Sequence, residues 1–223
     1  MNVANIIDFF NQLIANNNRV WFAQNKEWYK QCHDDFEHFT DEWIQQMIAI
    51  DPSLNGLTAK DCMWRIYRDT RFSADKTPYK NHFGSFIAAH GGKKSQRAGY
   101  YFHLQPDYFM FAAGIWCPDP NLLKALRWAV YDNMDELEQI MSAPSFKHYF
   151  TDFDTDYMLK KVPTGFPVGS AHDDWLKRKT FTISCMLTEK QVCSPNLMNT
   201  LMEICKAAQP LNDFLNYTFE ELE

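Results

Sequence analysis

The sequence predicts a single α+β domain, a mainly antiparallel sheet of about five strands packed with helices, and three observations predict it. Apolar residues recur at helical spacing up to residue 50, switch to short alternating or aromatic segments between 63 and 116, and return to helical spacing after 119. Runs of helices followed by runs of strands differ from the strict βαβ alternation of a doubly wound parallel sheet. Finally, 223 residues with 46% hydrophobic and 16% aromatic side chains are enough to bury one sizeable core, and neither a repeat nor a long linker divides residues 1–223.

The elements follow in order. Ile6, Phe9, Phe10, Leu13 and Ile14 form one apolar stripe, and Asn16-Asn17-Asn18 is expected to end that helix because asparagine tolerates turn conformations. A longer stripe through Trp28, Cys32, Phe36, Phe39, Trp43 and Met47 stops at Asp51-Pro52, where proline withholds a donor. Segments 63–68, 82–89, 98–105 and 108–116 then read as strands, the last two joined by a tight Pro106-Asp107 turn. Asp119-Pro120 opens another helix, the aspartate accepting free backbone donors. Shorter helices are expected at 134–142 and 144–150, and residues 151–169, with four Pro or Gly, read as loop. Residues 180–187 alternate as a fifth strand, and a final helix from Ser194-Pro195 is expected in two pieces because Pro210 interrupts it.

Composition excludes several function classes. Eight glycines in 223 residues exclude a collagen-like or glycine-loop design, and the longest apolar run, Tyr108 to Cys117, is half of what a membrane span needs. No charged leader precedes the first helix, so the chain is expected to be cytoplasmic and to have no membrane partner. Cys32, Cys62, Cys117, Cys185, Cys193 and Cys205 show no C-x-x-C pair, so free thiols are expected and neither a metal site nor a cofactor is. The net charge of −6 argues against a surface built wholly for nucleic acid. Within it, nine Lys and Arg face three Asp between Lys60 and Arg97, a local surplus suited to one anionic ligand.

The run Arg65-Ile66-Tyr67-Arg68-Asp69-Thr70-Arg71-Phe72-Ser73-Ala74-Asp75-Lys76-Thr77-Pro78-Tyr79-Lys80-Asn81-His82-Phe83 is long and specific. With Trp21-Phe22, Tyr101 to Pro106, Pro118-Asp119-Pro120 and Leu176 to Phe181, it resembles the family called domain of unknown function 2461 over about residues 9–215. Asn81 and Asp173 depart from that family's pattern. The resemblance implies neither an activity nor a catalytic residue.

Strand alternation would set Trp64 and Ile66 toward the core and Arg65 and Tyr67 on the other face, with Tyr101, His103 and Gln105. The candidate anion ligands are therefore Arg65, Tyr67, Arg68, Arg71, Lys76 and Lys80, since guanidinium forks and ammonium groups suit phosphate, sulfate or carboxylate. His82, His103 and Asp69 are the candidates for acid–base chemistry. The competing reading of the loop is a structural network in which Asp69 and Asp75 pair with the arginines. Lys177-Arg178-Lys179 reads as a solvated face, and Trp21, Trp64, Trp116 and Trp128 as core or groove wall. Three functions stay open: binding of a small anionic or phosphorylated ligand, a nucleic-acid module stacking bases on Tyr67, Tyr79 or Tyr101, and a protein-interaction domain without a ligand. Nothing in the sequence sets the oligomeric state.

Overall fold

The computed structural model describes residues 1–169 and 172–220. Its architecture is α+β: helices accompany a four-stranded antiparallel sheet of order β1-β2-β3-β4, formed by β1 (Phe83–Ile87), β2 (Gly99–Gln105), β3 (Tyr108–Ile115) and β4 (Phe181–Leu187). The chain packs as two compact units, each assembled from several stretches. One comprises Met1–Lys94, Tyr101–Phe111 and Met186–Met202, the other Ser95–Tyr100, Ala112–Cys185 and the chain from Glu203 on. Among the described residues, no helix is long and apolar enough to cross a membrane.

In the first unit, α1 (Val3–Ala15) starts where Asn2 accepts from the Asn5 backbone N–H. The asparagines after it do two things: the chain leaves α1 at Asn16, and the Asn18 side chain caps a helix that the sequence pattern missed, α2 (Arg19–Gln24). Helix α3 (Lys26–Ile48) then supplies the main packing face. Phe36 lies 5.2 Å from Phe83 and 6.3 Å from Phe102, Trp43 meets Phe102 and Phe111, and Phe10 closes on Phe83 at 4.8 Å. Each such buried ring contributes roughly 1.5–3 kcal/mol relative to exposure, so this aromatic seam fixes which face of β1 and β2 is inside. On β2, Tyr100, Phe102 and Leu104 are all buried as their alternation predicts, and Phe102 is the ring that meets α3.

The fifth expected strand, 63–68, does not form. After the short α4 (Ala59–Cys62), Met63 pairs with Ser85 of β1, but four residues later Tyr67 pairs instead with Tyr79 of its own return segment. The Arg68 N–H donates to the Pro78 carbonyl and the Lys80 N–H to that of Ile66. Changing partners leaves neither pairing long enough for a strand, and Pro78 has no N–H to extend the second. Alternation fails with it: Ile66 is buried, whereas Trp64 is 38% exposed.

In the second unit, Asp119 caps α5 (Pro120–Asp132) through the N–H groups of Asn121 and Leu122, as its sequence predicts. Helices α6 (Met134–Ser142) and α7 (Pro144–Tyr149) follow, then α8 (Asp173–Leu176); beyond β4, α9 (Glu189–Val192) belongs to the first unit. Helix α10 (Leu197–Glu220) runs unbroken through Pro210, contrary to the expected two pieces. Pro210 and Lys206, whose carbonyl loses its donor, are both exposed, so that carbonyl lies on the solvent side while Leu201, Ile204, Ala208, Leu211 and Leu215 keep the buried stripe. Arg178 is also corrected: it is 6% exposed, lies over the Trp175 ring at 4.7 Å and donates to the Asp154 carbonyl at 2.8 Å. A planar guanidinium stacks on aromatics, so a basic triplet need not be a solvated face. Trp116, expected as core or groove wall, is 56% exposed, edge-on to Tyr157.

Candidate functional site

The basic segment divides into residues that hold one another and residues that do not. In the loop after Tyr67, Arg71 grips Asp69 with both arms of its fork, Nε to Oδ1 at 3.0 Å and a terminal nitrogen to Oδ2 at 2.6 Å. Arg68 closes on Asp75 and on the Thr77 hydroxyl, and the Lys76 ammonium donates to the Thr70 carbonyl at 2.8 Å. Bonds from the Thr77 backbone and from Arg68 hold the Asp75 carboxyl down at about 2. These contacts shape the loop. Arg71 and Lys76 stay exposed on it and do not line the cleft that His82 lines, and Asp69 is committed to Arg71.

Lys80 and Arg65 are different. Neither side chain has a hydrogen-bond or ion-pair partner among the described residues. Lys80 is half-buried, and burial, followed by the Arg65 charge, lowers its affinity for the proton. It lines a cleft of about 440 Å³ together with Arg68, Asp75, Thr77, Asn81 and His82, with Asn17 behind α1 completing the wall. Asn17 clamps the return segment, its side chain donating to the Tyr79 carbonyl at 3.0 Å and accepting from the Tyr79 N–H at 3.2 Å. The sequence pattern reads that asparagine only as a helix stop. Tyr67 is half-exposed, over Tyr79.

His82 joins the cleft to a strip of polar rings on the sheet face opposite α3. Its ring stacks on His103, centroids 4.4 Å apart. The Tyr101 hydroxyl lies 2.7 Å from His103 Nδ1, and His103 Nε2 lies 3.4 Å from Gln105 Oε1. An amide oxygen only accepts, so Nε2 carries the His103 proton and Nδ1 accepts from Tyr101. By the same argument His82 Nδ1, 3.2 Å from Asn81 Oδ1, is the protonated nitrogen, and Nε2 keeps its lone pair. Burial first, then His103 and Lys80, push His82 down to about 4. Burial also lowers His103, and it raises the Tyr101 phenol. All three are therefore uncharged at neutral pH.

Gly84 makes the strip possible. A β-carbon there would stand 2.7 Å from the Tyr101 hydroxyl, so only glycine lets that ring lie across β1. Trp64 stands edge-on to Tyr101 at 5.7 Å and Tyr108 edge-on to His103 at 5.4 Å, walling the strip on both sides. Sequence reasoning missed Gly84 and Asn81; a glycine inside an alternating strand is the signal that could have found the first. His33, Asp34 and Glu37 on α3 bring metal-type ligand atoms within 4.8 Å, but Glu37 also faces Lys60 at 4.0 Å.

The family model described as "Conserved hypothetical protein (DUF2461)" matches residues 5–214. The chain belongs to the DUF2461 family. No curated protein and no solved structure gives a match. For this DUF2461 member the chemistry of the cleft is thus read from its own side chains: the unpaired Lys80 ammonium with the Arg65 charge nearby, a neutral imidazole with a free nitrogen, and amide and hydroxyl donors.

Proposed function

We propose that this DUF2461 chain is a cytoplasmic protein that binds a small anionic or phosphorylated ligand in the Lys80 cleft. One observation carries the reading: Lys80 is half-buried and faces the cleft without a carboxylate partner among the described residues, while Arg65 adds a second positive charge nearby. An ammonium drawn out of water without a counter-charge is costly, and an anion supplies what is missing. Arg68 joins it at the cleft wall. Arg71 and Lys76, committed to the loop, are left out of the binding set, and so is Tyr67, which does not line the cleft.

The nucleic-acid alternative has less behind it. Tyr79 is 5% exposed and stacked on Phe22 at 4.0 Å, so it offers no face to a base.

A melting screen with inorganic phosphate, sulfate and phosphorylated metabolites tests the proposal. A ligand at one hundred times its dissociation constant adds about 2.7 kcal/mol of stability, and Lys80→Met removes that gain. Absence of any change in melting temperature in the unmodified protein rejects the reading.

A further inference from the structure

The ligand proposed above meets one group that the binding scheme does not use. His82 lines the same cleft as Lys80, and its Nδ1 is tied to Asn81 Oδ1 at 3.2 Å. The ring is held from behind by His103, whose own tautomer is fixed by Tyr101 on Nδ1 and Gln105 on Nε2. His82 thus has one free position, the Nε2 lone pair, on a ring that cannot easily turn away.

We propose that this cleft captures an oxyanion together with a proton, the proton settling on His82 Nε2, which then donates to the bound anion beside Lys80. The inference rests on the anion-binding reading and specifies its ligand class: tetrahedral or carboxylate oxyanions, taken up with one proton. No covalent bond is made or broken within the anion; the proton comes from solvent and returns there on release.

The electrostatics around the ring support this. From its own segment His82 faces Lys80; from β2 it faces His103, with Tyr101 behind; from β3 Tyr108 stands edge-on beyond His103. The loop presents Arg68 and Asp75 to the cleft, and these neutralise each other, while Arg65 acts on Lys80. In the empty cleft the neighbouring charge is positive and the ring stays neutral, down to about 4. An oxyanion against Lys80 reverses the sign of the nearest uncompensated charge, which favours imidazolium. By reciprocity, a bound anion that makes His82 hold its proton ten times more tightly is itself held ten times more tightly once that proton is present.

Calorimetric titration with sulfate, which does not itself titrate between pH 5 and 8, tests it in buffers of different ionisation enthalpy. The intact protein should take up a proton on binding at pH 5 to 6 and bind more tightly as the pH falls, by up to tenfold for each tenfold rise in proton concentration. His82→Gln should bind sulfate with no proton uptake and a flat pH profile. Titration of the histidine ring resonances of the unmodified protein, with and without sulfate, gives the same answer without a variant: the His82 midpoint moves up. Sulfate binding without proton uptake, or uptake that persists in His82→Gln, overturns proton coupling and leaves anion binding standing. Failure of sulfate and of every anion in the melting screen rejects both.

Discussion

The rings of His82 and His103 stack at 4.4 Å with their planes inclined by 29°, and among the described residues no carboxylate pairs with either. Two imidazoles at that distance cannot both hold a proton cheaply, because like charges in partly desolvated surroundings repel strongly. The pair is therefore built to be neutral when the cleft is empty.

A stability cost at low pH follows. In the unfolded chain a histidine takes its proton near 6.5, whereas native His82 waits until about 4. Between those values the unfolded state binds the extra proton, so stability falls as pH drops through that window and levels off below it. The loss between pH 7 and 5 should be about 1–2 kcal/mol. Denaturant unfolding at both pH values checks it, and His82→Gln should show a shallower fall; an unchanged slope in that variant would locate the effect elsewhere.

Gly84→Ala should cost about 1–3 kcal/mol by pushing the Tyr101 ring off β1 and breaking its bond to His103. The phenolic oxygen is the nearest atom to the added carbon. Combined with Tyr101→Phe, the substitution should therefore cost less than the two single changes added together, a coupling that a double-mutant cycle measures. Strict additivity would mean that the ring does not lie where described.

Loop and cleft cations should separate in function. Arg71→Ala leaves anion-dependent stabilisation intact, because Arg71 pairs with Asp69 in solvent, while Arg65→Ala weakens it and Lys80→Met abolishes it. Melting curves of the three variants with and without phosphate decide the order, and a loss confined to Arg71→Ala would return the site to the loop.

All six cysteines are free, but they differ in access. Cys117 and Cys193 are exposed, Cys185 is partly covered, and Cys32, Cys62 and Cys205 are buried. A thiol reagent should modify two groups rapidly in the native protein and six after denaturation. Fewer than six in denaturant, without reductant, would reveal an oxidised pair.

Four strands and the main helices were legible because hydrophobic periodicity reports which face is buried, and that face is what Phe36 and Trp43 pack against. The segment 63–68 was not, since its composition says nothing about its switch of partners from Ser85 to Tyr79. In the site, His82, Lys80 and the Tyr101 strip were legible from alternation and charge. The division of the arginines was not. Whether Arg71 meets a ligand or Asp69 depends on where a loop turns, and the identical residues permit both outcomes.

The two margins of the sheet share a property that matters outside the native fold. On one side Met63 covers Ser85 and the chain then bends away; on the other the Asp154 N–H takes the outward carbonyl of Thr182 at 2.8 Å, and its carboxylate accepts from both the Thr182 and Ser184 hydroxyls. Irregular chain thus occupies both rims without prolonging the ladder. Each rim thereby offers a neighbouring molecule fewer open backbone groups to pair with, so concentrated protein should be less prone to the strand-to-strand aggregation of bare sheet edges.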